Sequence, residues 1–131
     1  MFKFVKSKSK LRNEKGASAV EFALVLPLFV MLIFGMFQFG IAFNNWIAIT
    51  HAAREGARLA AVGQYDEQFE QTVKDRAPSV DIQSITVSGL GGTIGSPVTV
   101  TVTGSVLNIE IPFAGNWPVT LASTAIMRLE Q

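Results

Sequence analysis

Cysteine is absent from the 131 residues, and histidine occurs once, at His51. The first absence excludes disulfide frameworks, thiolate zinc sites, iron–sulfur clusters and cysteine nucleophiles; the second excludes histidine-rich metal centres. Charge is scarce as well, at 16% of residues against 49% hydrophobic ones. The formal net charge of +1 hides an asymmetry: residues 1–16 carry Lys3, Lys6, Lys8, Lys10, Arg12 and Lys15 against Glu14 alone, whereas the rest of the chain holds five basic and nine acidic side chains. A basic start and an acidic remainder imply two different surroundings.

Patterns that support catalysis are equally thin. His51 follows closely on an apolar run and no nucleophile elbow accompanies it, so it reads as an interfacial polar residue rather than a member of a triad. Asp66, Glu67 and Glu70 lack the oxygen-ligand spacing of a calcium loop and read as the solvated face of a helix. The glycine-rich stretch Gly89 to Gly95 lacks the lysine and the strand-to-helix context of a phosphate loop, which leaves it as a hairpin connection. No enzymatic activity, metal, cofactor or nucleic-acid partner is expected.

What the chain does have is a long apolar run. From Phe22 to Phe43 no residue is formally charged, and Gln38 is the one strongly polar member. As a helix rising about 1.5 Å per residue, this run spans roughly 33 Å, enough for the hydrocarbon layer of a bilayer. Its apolar side chains occupy all faces, as in Val30-Met31-Leu32-Ile33-Phe34, so it is not an amphipathic surface helix. The remaining chain is too short to bury such a rod on every side. A transmembrane helix follows, with the lipid bilayer as its partner. The excess of basic residues before it places the N-terminus in the cytoplasm and the C-terminal part outside. A cleavable secretory signal fits poorly, because the run exceeds the roughly 7 to 15 residues of such an apolar region and no small-x-small site follows at once.

Pro27 removes one helical hydrogen bond near the start of the run, and a kink or local loosening is expected there. Gly35 and Gly40 are small positions at a spacing that does not match GxxxG. Beyond Phe43 the pattern turns amphipathic, with Trp46, Ile49, Ala53, Ala57 and Ala60 at intervals of three or four. Trp46 is suited to the membrane interface, and Gly63 to stopping the helix. One helix from Ala17, or slightly earlier, to about Val62 is therefore predicted, lipid-embedded in its first half. A short helix from Asp66 to Arg76, capped by Asp66 and ended by Pro78, comes next. Extended runs follow at Ile85 to Val87, Pro97 to Thr103, Val106 to Ile111 and Val119 to Leu129. The fold class is α+β, with three or four antiparallel strands packed on the emergent half of the helix. The chain divides into a basic cytoplasmic leader (1–16), the long helix (17–62) and an extracytoplasmic head (63–131).

Two constellations carry alternatives. Glu21 opens the apolar helix, where a carboxylate either reaches the headgroups and complements the helix dipole or pairs with a cation inside the bilayer, such as a free amino group produced by a cut after Gly16. Arg54, Glu55 and Arg58 form either an exposed charge pattern, with Glu55 three residues before Arg58, or a block that docks the head or an adjacent subunit, with Gly56 permitting close approach.

The segment Glu14-Lys15-Gly16-Ala17-Ser18-Ala19-Val20-Glu21-Phe22-Ala23-Leu24-Val25-Leu26-Pro27, followed after the span by Ala52-Ala53-Arg54-Glu55-Gly56-Ala57-Arg58, closely resembles the TadE-like family. These are pilin-like proteins of tight-adherence (Tad, Flp-type) pilus systems. The resemblance covers about residues 16 to 62 and is loose beyond, resting there on Thr124 to Glu130. It implies a minor pilin or pseudopilin made with a short leader, which a prepilin peptidase removes between Gly16 and Ala17. It also implies that Glu21, fifth after the cut, neutralises the amino terminus of a neighbouring subunit and that Phe22 stands where major pilins carry Tyr. The implied partners are the peptidase, other pilin-like subunits and the inner-membrane platform of the system. The protein would reside in the bacterial cytoplasmic membrane or in the pilus. An uncleaved single-pass assembly factor and a membrane-anchored envelope binding module are the rival readings.

Overall fold

The structure is a computed structural model and describes residues 8–130, with side chains from Gly16 onward. Lys3 and Lys6 of the leader lie outside the described residues. Helix α1 runs from Lys8 to Ala61 and continues through Pro27. Its start lies well before the predicted Ala17, so the helix passes unbroken through Gly16 and Ala17. Its end is set by a Schellman closure. The Gln64 amide donates to the Leu59 carbonyl at 2.9 Å and the Gly63 amide to that of Ala60 at 3.3 Å, with Gly63 at φ 76°.

Helix α2 (Phe69–Asp75) is shorter than its sequence pattern implied. Asp66 does not cap it: its carboxylate accepts from the Gln68 amide at 3.0 Å, closing a turn just ahead of the helix, and the residue at the cap position, Gln68, makes no capping hydrogen bond with its side chain. Asp is suited to both tasks, and the local turn won.

Three antiparallel strands follow in the spatial order β1-β2-β3: β1 (Ile82–Ser88), β2 (Pro97–Ile111) and β3 (Gly115–Arg128). The Gly89 to Gly95 stretch joins the first two as a hairpin connection. Gly89 is indispensable to it, since at φ 89° an added Cβ would collide with the Pro97 carbonyl oxygen. The two runs expected at Pro97 to Thr103 and Val106 to Ile111 are one strand, interrupted in register between Thr103 and Val106. There one extra residue on β2 makes a bulge, and the Ser105 amide turns to the Asp81 carbonyl at 2.7 Å. β3 also starts earlier than predicted, at Gly115, because it pairs with the outer end of this long β2.

The core lies between the sheet and the C-terminal half of α1. Val98, Val100 and Val102 project inward from β2 and are fully buried, as are Ile49, Ala52, Ala53 and Ala57 on the helix and Val73 on α2. The alternating threonines face outward, where the cross-strand pair Thr101 and Thr124 share a hydroxyl hydrogen bond of 2.9 Å. Small side chains on the helix allow the sheet to lie close to it. At Gly104, an added Cβ would stand 2.8 Å from Ile49 Cδ1 and 2.9 Å from Val80 Cγ1.

That approach predicts a coupled effect. Gly104→Val should destabilise the full chain by about 1 to 3 kcal/mol through overpacking, and adding Ile49→Ala should recover part of the loss. Thermal unfolding in detergent of the single and double variants measures both. Strictly additive losses would contradict the contact.

Candidate functional site

Along α1 the surroundings change sharply. From Val20 to Ile47 most of the large apolar side chains are exposed, with Leu24 at 76%, Phe37 at 70% and Phe39 at 70%, while Val30, Met31 and Ile33 are half-buried. The most apolar window of the helix has none of its residues buried within the chain, and α1 is the one helix among the described residues long and apolar enough to cross a membrane. Glu21 and Phe22 lie exposed at its beginning. Gly16, Gly35 and Gly40 meet no neighbouring atom within 4 Å where a Cβ would be added. Near the end of the apolar run the aromatic rings of Phe39 and Phe43 stack at 6.1 Å, and those of Phe43 and Trp46 approach to 5.9 Å.

The second half of α1 carries the block from Ala52 to Arg58. Its residues divide between the core and a charge cluster. Gly56 is buried under the head, where an added Cβ would stand 3.1 Å from Val100 Cγ1, 3.2 Å from Val73 Cγ2 and 3.6 Å from Phe69 Cζ. Glu55, on the flank of that contact, accepts from Arg58 Nη2 at 2.8 Å and Nε at 3.1 Å, and from Arg76 Nη2 at 3.2 Å. The pairing of Glu55 with Arg58 follows from their spacing. Arg76 does not, because it comes from beyond α2 and is brought in only by tertiary folding. Arg54 stays on the exposed side. Glu55 therefore ties three parts together: its own helix turn, the end of α2 and, through Gly56, the point where β2 crosses.

The Arg58 hydrogen bonds hold the Glu55 carboxyl below its ordinary value; burial opposes them, and the positive charges of Arg58 and Arg76 reinforce them. The same contact raises Arg58. His51 is exposed on α1, and Asp66, Glu67 and Glu70 are exposed around the start of α2. Among the described residues, no group of three or more His, Asp or Glu is placed to hold a metal ion.

The family model of TadE-like proteins matches residues 16–58. The long helix is TadE-like. The matched segment begins at Gly16, contains the exposed apolar half of α1 and ends at Arg58, the partner of Glu55. The match is confined to this part of α1. Comparison with curated proteins and with solved structures gave no match.

The ion cluster makes a pH prediction. A carboxyl depressed by folding stabilises the fold above its unfolded value, and that contribution disappears as pH falls through the folded one. The thermal midpoint of the full chain should therefore drop on acidification more steeply than that of Glu55→Gln. Parallel pH profiles would remove Glu55 from the cluster's energetics.

Proposed function

We propose that this protein is a minor-pilin- or pseudopilin-like component that takes part in assembling a Tad pilus at the cytoplasmic membrane, in a non-catalytic role. The observation that carries the proposal is the TadE-like match over residues 16–58, which falls on a helix whose most apolar window has none of its residues buried among the described residues. In this reading the first half spans the bilayer with the N-terminus in the cytoplasm, Trp46 anchors it at the outer interface, and the head stands outside. Exposed apolar faces around Phe22 to Phe43 then serve twice, against lipid before assembly and against other pilin-like helices after it.

Processing between Gly16 and Ala17 would release the basic leader and leave a new amino group one helical turn from Glu21. A charge-assisted pair in a low-dielectric helix bundle is strong, whereas either ion alone there is costly. Glu21 thereby favours a particular stagger between neighbouring subunits. The helix is continuous across the cut, so a prepilin peptidase must unwind it locally. Glu55, Gly56 and Arg58 hold the head on the emergent half of the helix, and Arg54 is left facing outward for a neighbouring subunit or the membrane platform.

The unbroken helix through Gly16 is the specific feature that favours a second reading, an uncleaved single-pass assembly factor. Intact mass and N-terminal sequence, obtained with and without the cognate prepilin peptidase, separate the two. The pilin-like reading predicts peptidase-dependent loss of residues 1–16 and a new terminus at Ala17. It also predicts that Glu21→Ala is still cleaved and still inserted in the membrane but fails to co-purify with partner pilins. Persistence of the full chain beside an active peptidase would favour the assembly factor.

A further inference from the structure

Three contacts fix the direction of the sheet along the helix. The Glu130 amide donates to the Ala61 carbonyl at 2.9 Å beside the start of β2, where Leu129 pairs with Ser96. Farther down, Val100 lies against Gly56, and Gly104 against Ile49. β2 therefore runs back along α1 toward the apolar half: seven residue steps of helix from Gly56 to Ile49, roughly 10 Å, are matched by four strand steps from Val100 to Gly104, roughly 13 Å, so the strand descends at an incline to the helix axis. From Ile49 to the last uncharged apolar turn at Phe43 the helix descends roughly 9 Å. From Gly104 to the end of β2 at Ile111 the strand extends roughly 20 Å, allowing for the extra residue of the bulge, before the turn that holds Phe113. Unless β2 swings beyond roughly 60° from the helix axis, its end passes the level of Phe43.

The bulge determines what the tip presents. Before it, even-numbered residues of β2 face the helix; after it, the half-buried ones are Leu107, Ile109 and Ile111. One extra residue thus keeps apolar side chains on the inner face and sends Asn108 and Glu110 outward. Trp117 pairs with Ile109, and so shares that apolar face, yet it is 64% exposed. Phe113, at the turn, is 83% exposed and adopts φ 68°. From Ile111 to Met127 there is no formal charge. Aromatic rings on the apolar face of a tip whose one charged side chain, Glu110, is on the opposite face match the water–lipid boundary.

We propose that the β2–β3 hairpin tip is a second membrane contact, seating Phe113 and Trp117 in the interfacial layer of the bilayer that α1 crosses. The proposal rests on the reading of α1 as a membrane span. Its occupant is lipid because the tip lies at the depth of the span's outer end and its apolar face carries no charge to recognise a protein partner, Glu110 being turned to the opposite face. The absence of basic side chains there means that insertion needs no anionic lipid. The head would then be held over the membrane at two points, the helix and the hairpin, which fixes its rotation about the helix axis.

The chain has two tryptophans, Trp46 and Trp117, so each location has its own fluorophore. The full chain is reconstituted in phosphatidylcholine vesicles that contain a shallow doxyl-labelled phosphatidylcholine. Trp46→Phe leaves Trp117 as reporter, and Trp117→Phe leaves Trp46. The expected result is that Trp117 loses at least roughly half the fraction of emission that Trp46 loses, that salt and added phosphatidylglycerol leave the loss unchanged, and that Phe113→Ser reduces it. Quenching of Trp46 with Trp117 unquenched and open to aqueous acrylamide would overturn the hairpin contact and retain the span. Trp117 shielded from both quenchers, in proportion to the protein-to-lipid ratio, would overturn it in favour of a second copy of the chain. Loss of quenching at both residues would overturn the span reading and the hairpin contact with it.

Discussion

The head depends on how closely a β-sheet lies on one stripe of α1. Ala52, Ala53, Gly56, Ala57 and Ala60 give that stripe almost no side-chain height, so the inward valines of β2 rest nearly on the helix backbone. A head of this size buries little apolar area in total, and dense packing along a narrow seam is what compensates. Ile49 marks the lower end of the seam and Ala61 the upper, with Phe69 and Val73 closing its flank. Each of these positions restricts its neighbours. A larger residue at Gly56 would press on α2 and β2 at once, and one at Gly104 on the helix and Val80.

The same helix continues below the seam without any such stripe. Large apolar residues surround it there, and among the described residues none in its most apolar window is buried. The change from a one-sided small-residue pattern to an all-round large one is a change of solvent, from protein to lipid in the proposed reading. Glu55 sits above that change, where water remains available and an ion cluster can hold α2 to the helix without the desolvation cost of a buried pair. Glu21 lies at the opposite end, where the absence of water would make a partner far more valuable.

Much of this was legible in the sequence because it rests on periodicity. The apolar run, the Ala-rich continuation, the stop at Gly63 and the alternating valines of β2 each announce themselves within a few residues. The single β2 strand was hidden by its own bulge. Alternation breaks at Gly104 and Ser105, so a period of two reads as two strands. Asp66 was visible as a capping residue, but the same side chain can close a local turn, and its hydrogen bond from the Gln68 amide is the one that forms. Arg76 could not have been assigned to Glu55, since 21 residues separate them and no local rule joins them. The exposed hairpin tip emerged only once the register showed Trp117 opposite Ile109.

The central claim is that one continuous helix meets lipid on every side along its first half and a protein sheet on one side along its second. The cysteine-free chain suits a direct measurement, single-cysteine spin labelling of the reconstituted full chain at successive positions of α1. From Phe22→Cys to Phe43→Cys, accessibility to oxygen should be high and accessibility to a water-soluble nickel chelate low, with no helical period. From Ile49→Cys to Ala61→Cys, both should oscillate with a period of about 3.6 residues, lowest on the Ala52, Gly56 and Ala60 stripe. A 3.6-residue oscillation or chelate access throughout the first half would contradict the account.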